Sequence, residues 1–268
     1  MIKLLEEFNE LLNNKDSTEQ NCQDFIEQNS ELIYTPFLLN HHLHLNSIIS
    51  KFPLDTSLIT DFVYLTKSSD FWYIVLVELE HPHFKIFNGN PSKPTYSANM
   101  NKALAQIYSW QEFISKNKNE VVRRLNPLLT PLKSNPIFFK YLLVIGQGEQ
   151  KKGSQAMRDR LASRYIQEDI LVCTYNSLIS NYENSFIFKK NILTLEQTYF
   201  KIKHLHQVKT RLFAYLLPES LKISPEQKEI LMRHGYDIEA WQKGELLSYN
   251  EKMTFEKMKS IYAPEPNK

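Results

Sequence analysis

Apolar residues follow two different periods along this chain. Ile2, Leu4, Leu5, Phe8, Leu11 and Leu12 recur at helical spacing. Ser17-Thr18-Glu19-Gln20 has the form of a capping box and starts a second helix with Cys22, Phe25 and Ile26 on one face. Residues 30–57 are less regular. Two apolar strands follow near 58–66 and 71–80, joined by the polar tip Lys67-Ser68-Ser69-Asp70. A loop dense in turn formers, Asn88-Gly89-Asn90-Pro91-Ser92-Lys93-Pro94, leads into a helix predicted over 97–115, with Leu104, Ile107, Tyr108 and Phe113 on its buried face. Beyond the proline-punctuated residues 126–136, Ile137 to Ile145 read as a nearly continuous apolar strand that Gly146 ends. A basic helix over 152–165 and a short buried strand, Ile170-Leu171-Val172-Cys173-Thr174, come next. This alternation predicts an α/β fold, a mixed central sheet flanked by helices. Past about Ser185 the texture changes. Residues 194–216 and 224–262 read as helices, with turns at Pro218, Ser224-Pro225 and His234-Gly235. The expected organisation is one domain over 1–190, including the N-terminal helices, and a helical C-terminal extension over 191–268.

Three acids interrupt the paired strands: Asp61, Glu78 and Glu80 stand where a strand is normally hydrophobic. A buried carboxylate without a partner is costly, and such groups persist where they bind metal or move protons. Side chains alternate along a strand, so Glu78 and Glu80 share a face with Leu79 opposed. The hairpin brings Asp61 opposite or diagonal to Glu78, and a slip of one residue would turn it to the other face. With that register the three acids offer oxygen ligands to a hard divalent cation. The competing reading is an edge ribbon whose acids are solvated and guard against strand pairing.

Composition narrows the classes of function. With 268 residues, 42% of them hydrophobic and 12% aromatic, the chain has ample material for a core. Only 6 glycines are present and no phosphate-cradling glycine motif, which disfavours nucleotide-dependent chemistry. Net charge is +2, from 32 basic and 30 acidic residues, so any phosphate-binding surface must be local. Cys22 and Cys173 are expected as buried thiols of a cytoplasmic protein. The N-terminus reads as a helix and not as a signal peptide, and the longest apolar run is too short to span a bilayer. His41-His42-Leu43-His44 lacks the spacing of a zinc site, and His204, His206 and His234 form no pattern. No G-x-S-x-G elbow supports a serine or cysteine triad.

The segment Asp61-Phe62…Val77-Glu78-Leu79-Glu80-His81-Pro82, followed by a helix carrying Gln106, resembles the PD-(D/E)XK nuclease core. More narrowly, the chain is similar to the Shedu family of antiphage nucleases in their C-terminal catalytic domain. Further parallels are Gln23-Asp24-Phe25-Ile26-Glu27-Gln28-Asn29, Ala105-Gln106-Ile107-Tyr108-Ser109-Trp110, Leu143-Val144-Ile145-Gly146 and Ile170 to Leu178, in an order that spans about 20–180. The resemblance implies a metal-dependent DNA endonuclease, a hydrolase of antiviral defence that uses magnesium or manganese. It assigns Asp61 and Glu78 to the metal, with the Leu79 carbonyl in reach, Gln106 in support and Glu27 as an upstream acid that orients the metal shell. Glu80 departs from the pattern, which has lysine there. A lysine would position the attacking water and offset transition-state charge, whereas a glutamate adds a ligand or accepts a proton. Lys85 and Lys102 are candidates for a migrated cation. A catalytically inactive subunit that binds nucleic acid or assembles a complex stays open. Beside a nuclease core, Lys85, Lys151, Lys152, Arg158 and Arg160, with Arg164 and more loosely Arg123 and Arg124, are expected to contact DNA phosphates. A toxic nuclease needs gating, so a homo-oligomer or a regulatory partner is also expected.

Overall fold

The computed structural model describes residues 2–89, 91–130, 132–148, 153–184, 188–208 and 216–245. The chain starts with α1 (Ile2–Asn13) and α2 (Glu19–Gln28). Thr18 caps α2, and its box closes on Asn21: each side chain accepts from the other residue's backbone N–H, at 3.2 and 2.9 Å. Next come β1 (Leu43–Ser50), β2 (Phe62–Lys67) and β3 (Trp72–Leu79), then the small ribbon β4 (Phe87–Asn88) and β5 (Thr95–Tyr96). Helix α3 runs over Ala98–Leu129, further than its expected end at 115, because Val121, Leu125, Leu128 and Leu129 prolong the buried stripe. It kinks at Asn117 (φ −127°, ψ 27°), whose amide donates to the Phe113 carbonyl at 3.1 Å. Strand β6 (Ile137–Val144), helix α4 (Gln155–Glu168), strand β7 (Ile170–Cys173) and helix α5 (Tyr175–Asn184) follow as a parallel α/β repeat.

The segment expected as helix from 194 is instead a hairpin, β8 (Asn191–Glu196) and β9 (Tyr199–His204), turning at Gln197 with φ 56°. Phe200 and Ile202 are buried while Lys201 and Lys203 are exposed, a period of two that a helix could not satisfy. Strand β8 pairs in parallel with β1, so the sheet continues across residue 190. Then come β10 (Leu221–Lys222), α6 (Pro225–Arg233) and α7 (Ile238–Gln242); the turns expected at Ser224-Pro225 and His234-Gly235 cap the two ends of α6. Residues 209–215 and 246–262 of the expected helices lie outside the described residues.

Among the described residues, eight strands form one mixed sheet in the order β10-β9-β8-β1-β2-β3-β6-β7. Strand parity sorts its side chains into two cores. Ile49, Val63, Leu76 and Leu143 pack with Leu104, Ile107 and Trp110 of α3 and with α6 and α7. Ile48, Phe62, Val77, Leu79 and Val144 pack with Phe8, Cys22, Ile26 and Tyr175 of α1, α2 and α5. Each fully buried large side chain contributes roughly 1.5–3 kcal/mol. Both cysteines are buried, and neither is in a disulfide. No helix among the described residues is long and apolar enough to cross a membrane.

Candidate functional site

Strands β2 and β3 are antiparallel with Phe62 opposite Val77, and the Asp61 amide donates to the Val77 carbonyl at 3.2 Å. That register sets Asp61 opposite Glu78. Val77 and Leu79 belong to the core under α1 and α2, so Glu78 and Glu80 point with Leu76 to the α3 side, and Asp61 follows Val63 to that same side. The Glu80 amide donates to the Val144 carbonyl at 2.8 Å, and the Tyr175 hydroxyl donates to the Glu80 carbonyl at 2.8 Å. Asp61, Glu78 and Glu80 are 4%, 5% and 7% exposed. The ribbon lies between β1 and β6 inside the sheet, so a solvated edge does not account for its acids.

Asp61 is the anchored member of the group. One oxygen accepts from Lys51 Nζ at 2.7 Å and the other from the Leu79 amide at 2.7 Å, while burial holds its pKa above the usual range. Burial pushes Glu78 up to about 10, reinforced by Asp61, Glu80 and Glu19 and partly offset by Lys51. Glu80 is pushed up to about 7, by burial first and then by Glu19, with Lys102 pulling the other way. Burial and Asp61 also raise Glu19, against Lys51 and Lys102. Four carboxyl groups thus share a field with two ammonium groups. Fully ionised, four negative and two positive charges leave −2, the charge that one divalent cation neutralises. Donor type and charge therefore suit a hard cation. The spacing is another matter: among the described residues no three His, Cys, Asp or Glu side chains converge closely enough to hold an ion as they stand.

Sequence reasoning found Asp61, Glu78, Glu80 and Lys102 but missed Lys51 and Glu19. Lys51 follows Ser50 at the end of β1 with φ 50°, inside the stretch that looked irregular, and its amide donates to the Asp61 carbonyl at 2.9 Å. Glu19 stood in the capping box and was read only as part of it. Glu27 does not join the acids. It is buried on the opposite face of the sheet, where Oε2 accepts from the Ser50 hydroxyl at 2.7 Å and Oε1 is ion-paired with Lys203, with His204 Nε2 at 3.7 Å. The acid that α2 contributes is Glu19, two turns earlier. Gln106 lies half-buried on α3, one turn beyond Lys102 on the same face.

The expected phosphate contacts are largely engaged within the protein. Arg160 stacks on Tyr96 at 5.0 Å and donates to the Pro94 carbonyl at 2.9 Å. Arg164 packs against Tyr96 and Tyr108 and pairs with Glu168. Arg158 is exposed and bonds to the Gly153 carbonyl at 2.7 Å and to Gln155. Lys85 is exposed, and its carbonyl accepts from the Ser97 hydroxyl that caps α3. Lys151 and Lys152 lie outside the described residues. In the histidine tract, His44 is structural: its ring stands edge-on to Trp72 at 4.8 Å and Nε2 donates to the Leu128 carbonyl at 2.7 Å.

Residues 16–179 match a family model described as Shedu protein SduA, C-terminal. Among curated proteins none matches the chain. The matched span contains Glu19, Lys51, Asp61, Glu78, Glu80, Lys102 and Gln106.

Proposed function

Since the chain belongs to the Shedu protein SduA, C-terminal family, we propose that it is a nuclease of the PD-(D/E)XK type that hydrolyses DNA phosphodiester bonds with magnesium or manganese in antiphage defence. The observation that carries this reading is the buried acid group with Asp61 opposite Glu78 and a lysine ammonium on Asp61. Asp61 and Glu78 would hold the cation, with Glu80 and Glu19 as further oxygen donors. When bound, the cation supplies charge stabilisation at the phosphoryl oxygens and lowers the pKa of a water. The remaining work falls to the chain's own groups. Lys51 brings the positive charge that the family pattern expects at position 80, now from the end of β1 through Asp61. Glu80, at about 7, is poised to accept the proton of an attacking water near neutral pH. Lys102 and Gln106 line the α3 side, where they can hold the phosphate and orient the water.

A second reading, a catalytically inactive nuclease fold that binds nucleic acid or assembles a complex, is favoured by two observations. Both Asp61 oxygens are already satisfied, and the acids do not converge. Purified protein incubated with DNA and magnesium or manganese should nick or cut, and Asp61→Ala or Glu78→Ala should abolish this. Equal cutting by wild type and variants would sink the site assignment. Calorimetric titration with magnesium separates the two readings: no metal uptake, with DNA binding intact, would establish the second.

A further inference from the structure

A cavity of about 590 Å³ opens where α1 meets the segments following β3 and β6. Its lining includes Asn9, Asn13, His83, Gln147, Gly148 and Asn176. Two features tie it to the acid group. His83 follows Glu80 by three residues, at most about 11 Å of chain. Tyr175, whose hydroxyl holds the Glu80 carbonyl, immediately precedes Asn176.

The chemistry of the lining is specific. Among the described residues, it carries four carboxamides and one imidazole. These amides match the mixed donor and acceptor edges of a nucleobase. The amides are also partly committed, which fixes what they offer. Gln147 Nε2 donates to the Leu12 carbonyl at 2.6 Å, leaving its Oε1 to accept. Asn176 Oδ1 accepts from the Gly148 amide, leaving its NH₂ to donate. Gly148 permits that fit, because a Cβ there would lie 3.0 Å from the Asn176 Cβ. Asn9 and Asn13, one turn apart on the exposed side of α1, are free to adapt. The His83 ring is held by the Asn14 carbonyl at 3.0 Å.

We propose that this cavity holds one unstacked nucleobase beside the phosphate presented to the acids, which makes the substrate single-stranded or locally opened DNA. The placement beside that phosphate rests on the nuclease reading above; the base recognition does not. The test is fluorescence anisotropy with labelled short oligo-dA, -dC, -dG and -dT and a duplex control, in EDTA so that nothing is cut. Wild type should bind the best homopolymer at least about fivefold more tightly than the worst, the discrimination one bidentate amide contact gives, and more tightly than duplex. The doubly substituted Asn9→Ala/Asn13→Ala protein, whose alanines favour the helix, should lose most of that spread while keeping its mean affinity. Asn176→Asp, which keeps the oxygen facing Gly148 and removes the donor, should change the order of preference. A spread that survives both variants unchanged, no spread in wild type, preference for duplex, or no binding at all would each overturn the proposal. Absence of cutting with magnesium, alongside an intact base preference, would count against the nuclease reading and leave the cavity's role standing.

Discussion

Replacing Glu78 by glutamine keeps its shape and removes its charge, and the consequence can be worked from the structure. On folding, burial together with Asp61, Glu80 and Glu19 lifts this carboxyl from 4.5 to about 10. The folded protein therefore holds the proton more tightly than the unfolded chain. The contribution to stability is fully present below pH 4.5 and is lost as pH rises toward 10. Inside that window each pH unit costs about 1.4 kcal/mol, so moving from pH 5 to pH 8 removes up to ~4 kcal/mol. The amide has no such slope. It carries instead a roughly constant penalty of ~1–3 kcal/mol for burial without a partner. The variant should be equal to or less stable than wild type at about pH 5 and more stable at about pH 8, and the two stability curves should cross. With ~1 kcal/mol worth about 2–4 °C for a chain near this size, the relative displacement of the thermal midpoints across that range is on the order of 8 °C. Thermal and urea denaturation in EDTA, at a series of pH values, would measure it. Parallel curves for the two proteins would refute the argument. Magnesium provides a second arm: a hundredfold excess over its dissociation constant adds ~2.7 kcal/mol, and wild type should gain it where the glutamine variant does not.

Lys51→Met strips the ammonium from buried Asp61. The lysine side chain is 45% exposed, so the expected loss is about 1–2 kcal/mol, short of the 3–5 of a fully buried pair, with at least about a tenfold fall in DNA cleavage; urea denaturation and a nicking assay measure the two. The tryptophans should differ: Trp72 Nε1 donates to the Leu132 carbonyl at 3.0 Å, whereas the buried Trp110 Nε1 has no partner among the described residues. Trp72→Phe should therefore cost roughly 1–3 kcal/mol more than Trp110→Phe in chemical denaturation. Burial pushes His44 down to about 3, so stability is fully present above about 6.5 and falls by up to ~1.4 kcal/mol per unit on acidification toward pH 3; circular dichroism should show His44→Gln flattening that slope.

The ribbon was legible because its signals agree. A polar tip fixes the turn, β-branched and aromatic residues fill the strands, and the turn then sets Asp61 against Glu78. What stayed hidden depends on long-range pairing. Leu45 and Asn46 adopt left-handed backbone, with φ 54° and 48°, and the β1–β2 register shifts there. That bulge broke the alternation by which β1 would have been recognised, and with it the position of Lys51. The alternation at 200–203 is too short to stand out within a helical reading of 194–216, and β8 takes its place in the sheet by long-range pairing with the β1 edge. Glu27 and Glu19 lie on one helix, and sequence alone does not say which end of that helix reaches the acids.

The pairing of Ser47 with Asn191 gives the fold an order of assembly. Residues 43–79 leave the ribosome well before 191–204, so β1 keeps an open edge until the hairpin arrives. An open edge recruits other chains, and contacts this distant in sequence form slowly. A fragment cut to the family-matched span, 16–179, would retain every acid of the site yet lack β8 and β9. It would expose the β1 edge, and buried Glu27 would lose Lys203 and His204. Such a fragment is expected to aggregate, because the strands that cover the β1 edge lie outside the family-matched span.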